Sequence, residues 1–153
     1  MATRKLQPLW ACPRCGHRFV GRNMWHSCGR HPIADHFRGR PPLLRALFRR
    51  FRALVRSCGP VTVYAQKTRI VFQARARFTS VVVRRGWLEG AVWLKRRLAL
   101  PRFHRIEKIP PGDYVHYFSL RDPSEIDAEL AALVREAYAV GRQEHLRPPA
   151  ARR

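Results

Sequence analysis

The chain has 153 residues, 46% of them hydrophobic and 10% aromatic, and its 31 Lys and Arg against 10 Asp and Glu give a formal net charge of +21. That apolar share excludes wholesale disorder, and no charge-free stretch approaches the ~20 residues a membrane helix needs. The start, MATRKLQPLWACPRC, lacks the apolar core of a secretory signal, so a cytoplasmic protein without a membrane segment is expected.

The charge is unevenly spread. Residues 1–112 hold 25 Lys or Arg against three acids, Asp35, Glu89 and Glu107. Arg outnumbers Lys 27 to 4, which GC-rich codon usage also produces. Such usage trades Lys for Arg, however, and does not remove acids. The depletion of acids therefore points to a polyanionic partner.

In chain order, residues 1–31 form the first expected unit, a zinc-knuckle-like arm. Cys12-Pro-Arg-Cys15 turns two thiolates inward, the following Gly16 lets the backbone bend back, and His26-Ser-Cys28 offers the other two corners of a tetrahedron. Three cysteines within seventeen residues, with no secretion signal, favour metal over disulfides. The candidate ligands are Cys12, Cys15, His26 and Cys28, holding a structural Zn2+. His17 and His31 are rival fourth ligands, and Cys58 could be recruited in space. Trp10, Phe19 and Trp25 could cover the site. A CxxC redox pair is the competing interpretation, but it normally opens a helix beside a βαβ pattern, and Pro13 and Gly16 flank none.

Residues 32–42 read as a Gly/Pro/Arg connector, followed by a body over 43–146 and a frayed basic tail over 147–153. A helix is predicted from Pro42 to about Ser57, with Leu43, Leu44, Leu47, Phe48, Phe51, Leu54 and Val55 on one side. Arg45, Arg49, Arg52 and Arg56 repeat on another. Cys58-Gly59-Pro60 stops it. Two strands joined near Lys67-Thr68 follow, with Arg69, Val71, Gln73, Arg75 and Arg77 on one face of the second. A further pair turns at Arg85-Gly86, and DYVHYFSL is the last strand. A helix from Pro123 to about Gly141, capped by Asp122 and Glu125, buries Ile126, Leu130, Leu133, Val134 and Ala137. The fold class is α+β: an antiparallel meander of about five strands flanked by an N-side and a C-terminal helix, with a small N-terminal zinc knuckle.

Lys67, Thr68, Ile70 and Phe72 form a K-T-x-I-x-F strand, preceded by a Gly-Pro and followed by a Leu-rich C-terminal helix ending in Ala-Tyr. On these motifs the chain resembles, over roughly residues 10 to 146, an uncharacterised bacterial domain-of-unknown-function family (5655 type). The CPxCG…HSC segment resembles the arm that precedes the domain in some members. The resemblance implies one intact domain and carries no chemistry.

The leading functional expectation is a nucleic-acid-binding accessory protein with little sequence preference. Its phosphate-neutralising face would bear Lys67, Arg69, Arg75 and Arg77, extended by Arg84, Arg85, Arg96 and Arg97. Outward aromatics such as Trp93 or Tyr64 could stack on bases. The alternative is an enzyme or small-anion-binding domain with a pocket around Lys67, Thr68, Tyr114 and His116, the Asp35-His36 pair being a further polar candidate. No Ser-His-Asp motif, Gly-rich phosphate loop or spaced carboxylate pair supports catalysis. A third possibility is an adaptor for an acidic protein partner.

Overall fold

The computed structural model describes residues 6–24, 26, 28–29 and 31–146; Trp25 and the tail 147–153 lie outside the described residues. A two-stranded hairpin of β1 (Trp10–Ala11) and β2 (Arg18–Phe19) opens the chain. A 3-10 turn at Ile33–Phe37 and helix α1 (Pro42–Ser57) follow. Then come β3 (Thr62–Ala65), β4 (Ile70–Gln73), β5 (Arg77–Val83), β6 (Leu88–Leu94), β7 (Phe103–Ile109) and β8 (Asp113–Leu120). A 3-10 turn at Pro123–Glu125 leads into helix α2 (Ala128–Gly141).

Strands β3 to β8 form one six-stranded antiparallel sheet in the order β3-β4-β5-β6-β8-β7. The α+β class is as expected. The sheet has one strand more than expected, and its last part is not a meander, because β7 lies on the edge and β8 returns between it and β6. Strand β7 escapes periodicity because a bulge between Phe103 and Arg105 breaks the alternation, so Phe103, Ile106 and Ile109 fall three apart. Its exposed His104, Arg105, Glu107 and Lys108 suit an edge, where charge discourages pairing with another chain.

Both helices cover one face of the sheet. Helix α1 runs over the expected residues and sends Leu44, Leu47, Phe48, Phe51 and Val55 into the core against Phe72, Val92 and Phe118. Helix α2 adds Leu130, Leu133, Val134 and Ala137. Its N-terminal part differs from expectation. The capping box of Asp122 and Glu125 forms, but it closes only a 3-10 turn. Asp127 then accepts from the Leu130 N–H and starts the α-helix afresh. Gly90 is required by close approach, since the buried Phe118 ring of the neighbouring strand lies across it and an added Cβ would sit 2.3 Å from the ring.

Nor is the expected connector a mere spacer. Phe37 is buried against Phe48, with ring centroids 5.2 Å apart, and the His36 Nε2–H donates to the Gln66 carbonyl at 2.8 Å. Asp35 turns instead to Arg38, at 2.8 Å, so the Asp35-His36 pair does not act as a unit.

His116 is fully buried on β8. Its Nε2 accepts from the Leu98 N–H at 2.9 Å, and its Nδ1–H donates to the Tyr114 carbonyl at 3.1 Å. Both ring nitrogens are satisfied in the neutral form. Burial pushes its pKa below 6.5, against the pull of the Tyr114 carbonyl. Below pH 6.5 the unfolded chain therefore binds a proton that the folded chain refuses, and stability falls as pH drops. Urea midpoints measured from pH 8 to 5 should decline with His116 contributing at most about 1.4 kcal/mol per pH unit, and His116→Gln should flatten that decline. An unchanged slope in the variant would refute this assignment.

Candidate metal centre and basic surfaces

The CPxCG segment folds as a knuckle. The Cys12 N–H donates to the His17 carbonyl and the Gly16 N–H to the Cys12 carbonyl, both at 2.8 Å. Gly16 takes φ +74°, a left-handed conformation open to glycine at little cost. The turn brings in the later His26 and Cys28. The Sγ atoms of Cys12 and Cys28 lie 3.7 Å apart, and His26 Nε2 is 3.3 Å from both Cys15 Sγ and Cys28 Sγ. All four ligand atoms fall within 4.8 Å of one another, so the group could hold one metal ion.

The surroundings prepare the donors. His26 Nδ1–H donates to the Met24 carbonyl at 2.7 Å, which fixes the tautomer and leaves Nε2 facing the sulfurs. The backbone N–H of Cys15, aided by that of Arg14 and opposed by burial, brings the Cys12 thiol down from 9.0 to about 6. Loss of solvent, then the neighbouring Cys12 and Cys15 sulfurs, push Cys28 up to about 11. Crowded thiols resist becoming several thiolates together, and a cation at the centre removes that resistance. Phe19, buried, stacks 4.5 Å from the His26 ring, and Trp10 lies 6.2 Å from Phe19 and 6.4 Å from His26.

The rivals of His26 are placed elsewhere. His17 Nε2–H donates to Gln73 Oε1 at 3.0 Å, His31 bridges to Ala65 of β3, and Cys58 ends α1. His17 has a different task, which the sequence does not signal. It docks the knuckle on the sheet face opposite the helices. Gln73, 4% exposed, also donates to the Arg18 carbonyl at 2.6 Å, so its buried amide is held at both ends by the knuckle. Tyr64 packs 4.3 Å from the His17 ring, and Arg77 lies 5.4 Å from the Phe19 ring. Burial pushes the Tyr64 hydroxyl pKa up, with Arg77 opposing it. A cleft of about 750 Å3 remains between knuckle and β3, walled by Arg14, His26, His31 and Tyr64.

The eight basic residues expected on one face do not share one. Lys67, Arg84 and Arg85 sit in the β3–β4 and β5–β6 turns, with Arg69 next to the first. Arg75, Arg77, Arg96 and Arg97 lie at the opposite ends of these antiparallel strands. Residues 74–76 turn the chain between β4 and β5, where the sequence read as one strand. Several have structural duties. Arg75 donates to Gln143 Oε1 at 3.0 Å and to the Gln7 carbonyl, tying the N-terminal arm to the end of α2. Arg84 pairs with Glu89 and Arg96 with Glu136, each at 2.8 Å. Lys67, Arg85 and Arg97 are exposed.

The expected small-ligand pocket is not assembled. Thr68 lies between β3 and β4, whereas Tyr114 and His116 are on β8, three inter-strand spacings from β4, or roughly 14 Å. Of the aromatics expected to face outward, Tyr64 is covered by the knuckle, whereas Trp93 is half-buried on the same face. Among the described residues no helix is long and apolar enough to cross a membrane.

No curated protein and no solved structure matches the chain. A family model described as "Domain of unknown function (DUF5655)" matches residues 33–141, beginning just after the knuckle and ending with α2. The chain therefore belongs to the DUF5655 family, with the Cys3His group that could hold a metal ion placed ahead of the family domain.

Proposed function

We propose that the protein is a basic nucleic-acid-binding accessory protein whose knuckle holds one structural zinc ion. Zinc suits a Cys3His donor set, and four protein ligands leave no open corner for a catalytic water. At Zn–S distances of about 2.3 Å a regular tetrahedron separates its sulfurs by about 3.8 Å, close to the 3.7 Å between Cys12 and Cys28. The observation that carries the nucleic-acid part is the charge: ten acids cannot neutralise 31 bases, and the residual +21 is left to external anions. With no base-reading motif in the chain, binding is expected to be charge-driven and tolerant of sequence.

The test is direct. Protein purified without chelators should carry about one equivalent of zinc and should bind mixed-sequence nucleic acid at about 50 mM salt, losing it steeply as salt rises. Absence of binding at that salt would remove the nucleic-acid role; far less than one equivalent of zinc would remove the metal. If the partner is instead an acidic protein, captured material will survive nuclease digestion.

A further inference from the structure

Helix α1 carries a row of arginines that no catalytic or metal role explains. Arg45, Arg49, Arg52 and Arg56 follow one another at intervals of four, three and four residues, which at 100° per residue keeps them within about 60° of helix surface. The row is about 16.5 Å long at 1.5 Å per residue. Helix α1 contains no acid, and among the described residues no ion pair engages any of these four. Arg45 lies 5.7 Å from the Phe37 ring and Arg52 5.4 Å from the Phe48 ring. Stacking of this kind steadies the planar group and leaves its N–H edges pointing outward.

From this we infer that the exposed face of α1 seats the phosphate backbone of duplex DNA. The inference rests on the nucleic-acid role proposed above and gives that role a surface and a form of polymer. One strand of DNA presents a charge every 3.4 Å along the axis, so the row spans about five phosphates with four guanidiniums. Phe37 and Phe48 are buried beneath their arginines, so the row offers no ring for base stacking, the usual grip on single strands. A straight helix fits along the wide major groove of B-form DNA better than along the deep, narrow groove of an RNA duplex. The apolar side of α1 is committed to the core, and among the described residues Leu43 alone is a large exposed apolar side chain, so the helix has no apolar face to lay into a lipid surface. The open part of the sheet is a poorer candidate, because Glu89, Glu107 and Asp113 stand among its basic groups.

Binding of the full, metal-loaded chain to a 20-base-pair fluorescent DNA duplex, followed by anisotropy from about 50 to 200 mM salt, tests this. Replacing all four arginines by Gln should make the slope of log K against log salt shallower by about 3.6, at about 0.9 per phosphate contact. The row's share of affinity lost over that salt range is then about 10²-fold. Arg49→Gln with Arg56→Gln, which touches neither ring, should remove about half of the slope change even if the quadruple variant loses stability. Lys67→Gln with Arg85→Gln should leave the slope unchanged. Duplex binding whose slope survives the α1 substitutions places the surface elsewhere while the nucleic-acid role stands. Tighter binding of single strands, of RNA duplex or of polyglutamate overturns duplex DNA as the occupant. No binding to any of these at about 50 mM salt overturns the role itself.

Discussion

Cys12→Ser, or removal of metal by a strong chelator, should unfold the N-terminal knuckle while leaving the α+β body intact. Strands of two residues each cannot hold a hairpin by themselves, and among the described residues of the segment only Cys12 and Phe19 are buried. Apparent zinc affinities in comparable small units correspond to about 10–16 kcal/mol, far more than any other interaction there. Trypsin offers a clear measurement, because Arg14, Arg18 and Arg22 lie in the knuckle. Cleavage at these sites should become rapid on metal removal, while the body resists. The body should lose a smaller amount of stability, about 1–3 kcal/mol, as the Gln73 amide loses its knuckle partners. A chelated protein still protected at all three arginines would show that docking on the sheet, not metal, holds the knuckle.

Phe51→Ala should cost about 3–5 kcal/mol, a large part of the about 5–15 kcal/mol that keeps a domain of this kind folded. Phe51 is fully buried where α1 meets the sheet, packed edge-on to Phe72 at 5.7 Å and tilted against Phe118 at 6.2 Å. The two rings packed against it are themselves fully or nearly fully buried, so closing the space would require them to leave their present packing. Denaturant unfolding with the metal in place measures the loss. A reduction under about 1 kcal/mol would mean that the core repacks around the gap.

The position of α1 was legible because the helical spacing of its Leu, Phe and Val residues is a local pattern, bounded by Pro42 and by Cys58-Gly59-Pro60; the pattern also put Leu43 on the apolar side, and the fold leaves it exposed. The Cys3His cluster was legible for the same kind of reason. A CPxCG turn is built from neighbours, and HxC supplies two donors eleven residues on. Strand β7 was hidden by its bulge, and the α2 start was misplaced because Asp122 and Asp127 are both competent caps. Only the order of elements in space makes the first close a 3-10 turn and the second the α-helix.

The arginines show the limit most clearly. Alternation along a continuous strand would put Arg69, Arg75 and Arg77 on one face, but the chain turns at 74–76 and separates them. Arg75 then serves the ends of two distant segments and Arg77 rests on Phe19. The same patterns that displayed the α1 row gave no reason to prefer it over the strands. Its standing comes from pairing: Arg84 and Arg96 meet Glu89 and Glu136, partners 5 and 40 residues away.

By itself, then, the sequence determined what depends on neighbours within a few turns of chain: the basic excess, the knuckle, both helices in outline and most strands. Tertiary structure alone decided that His26 joins the sulfurs while His17 grips Gln73, that β8 separates β6 from β7, and which arginines are left facing solvent. The physical reason is range. Helix period and turn chemistry act over a few residues, whereas ligand choice, strand order and ion pairing depend on groups the fold brings together from far apart.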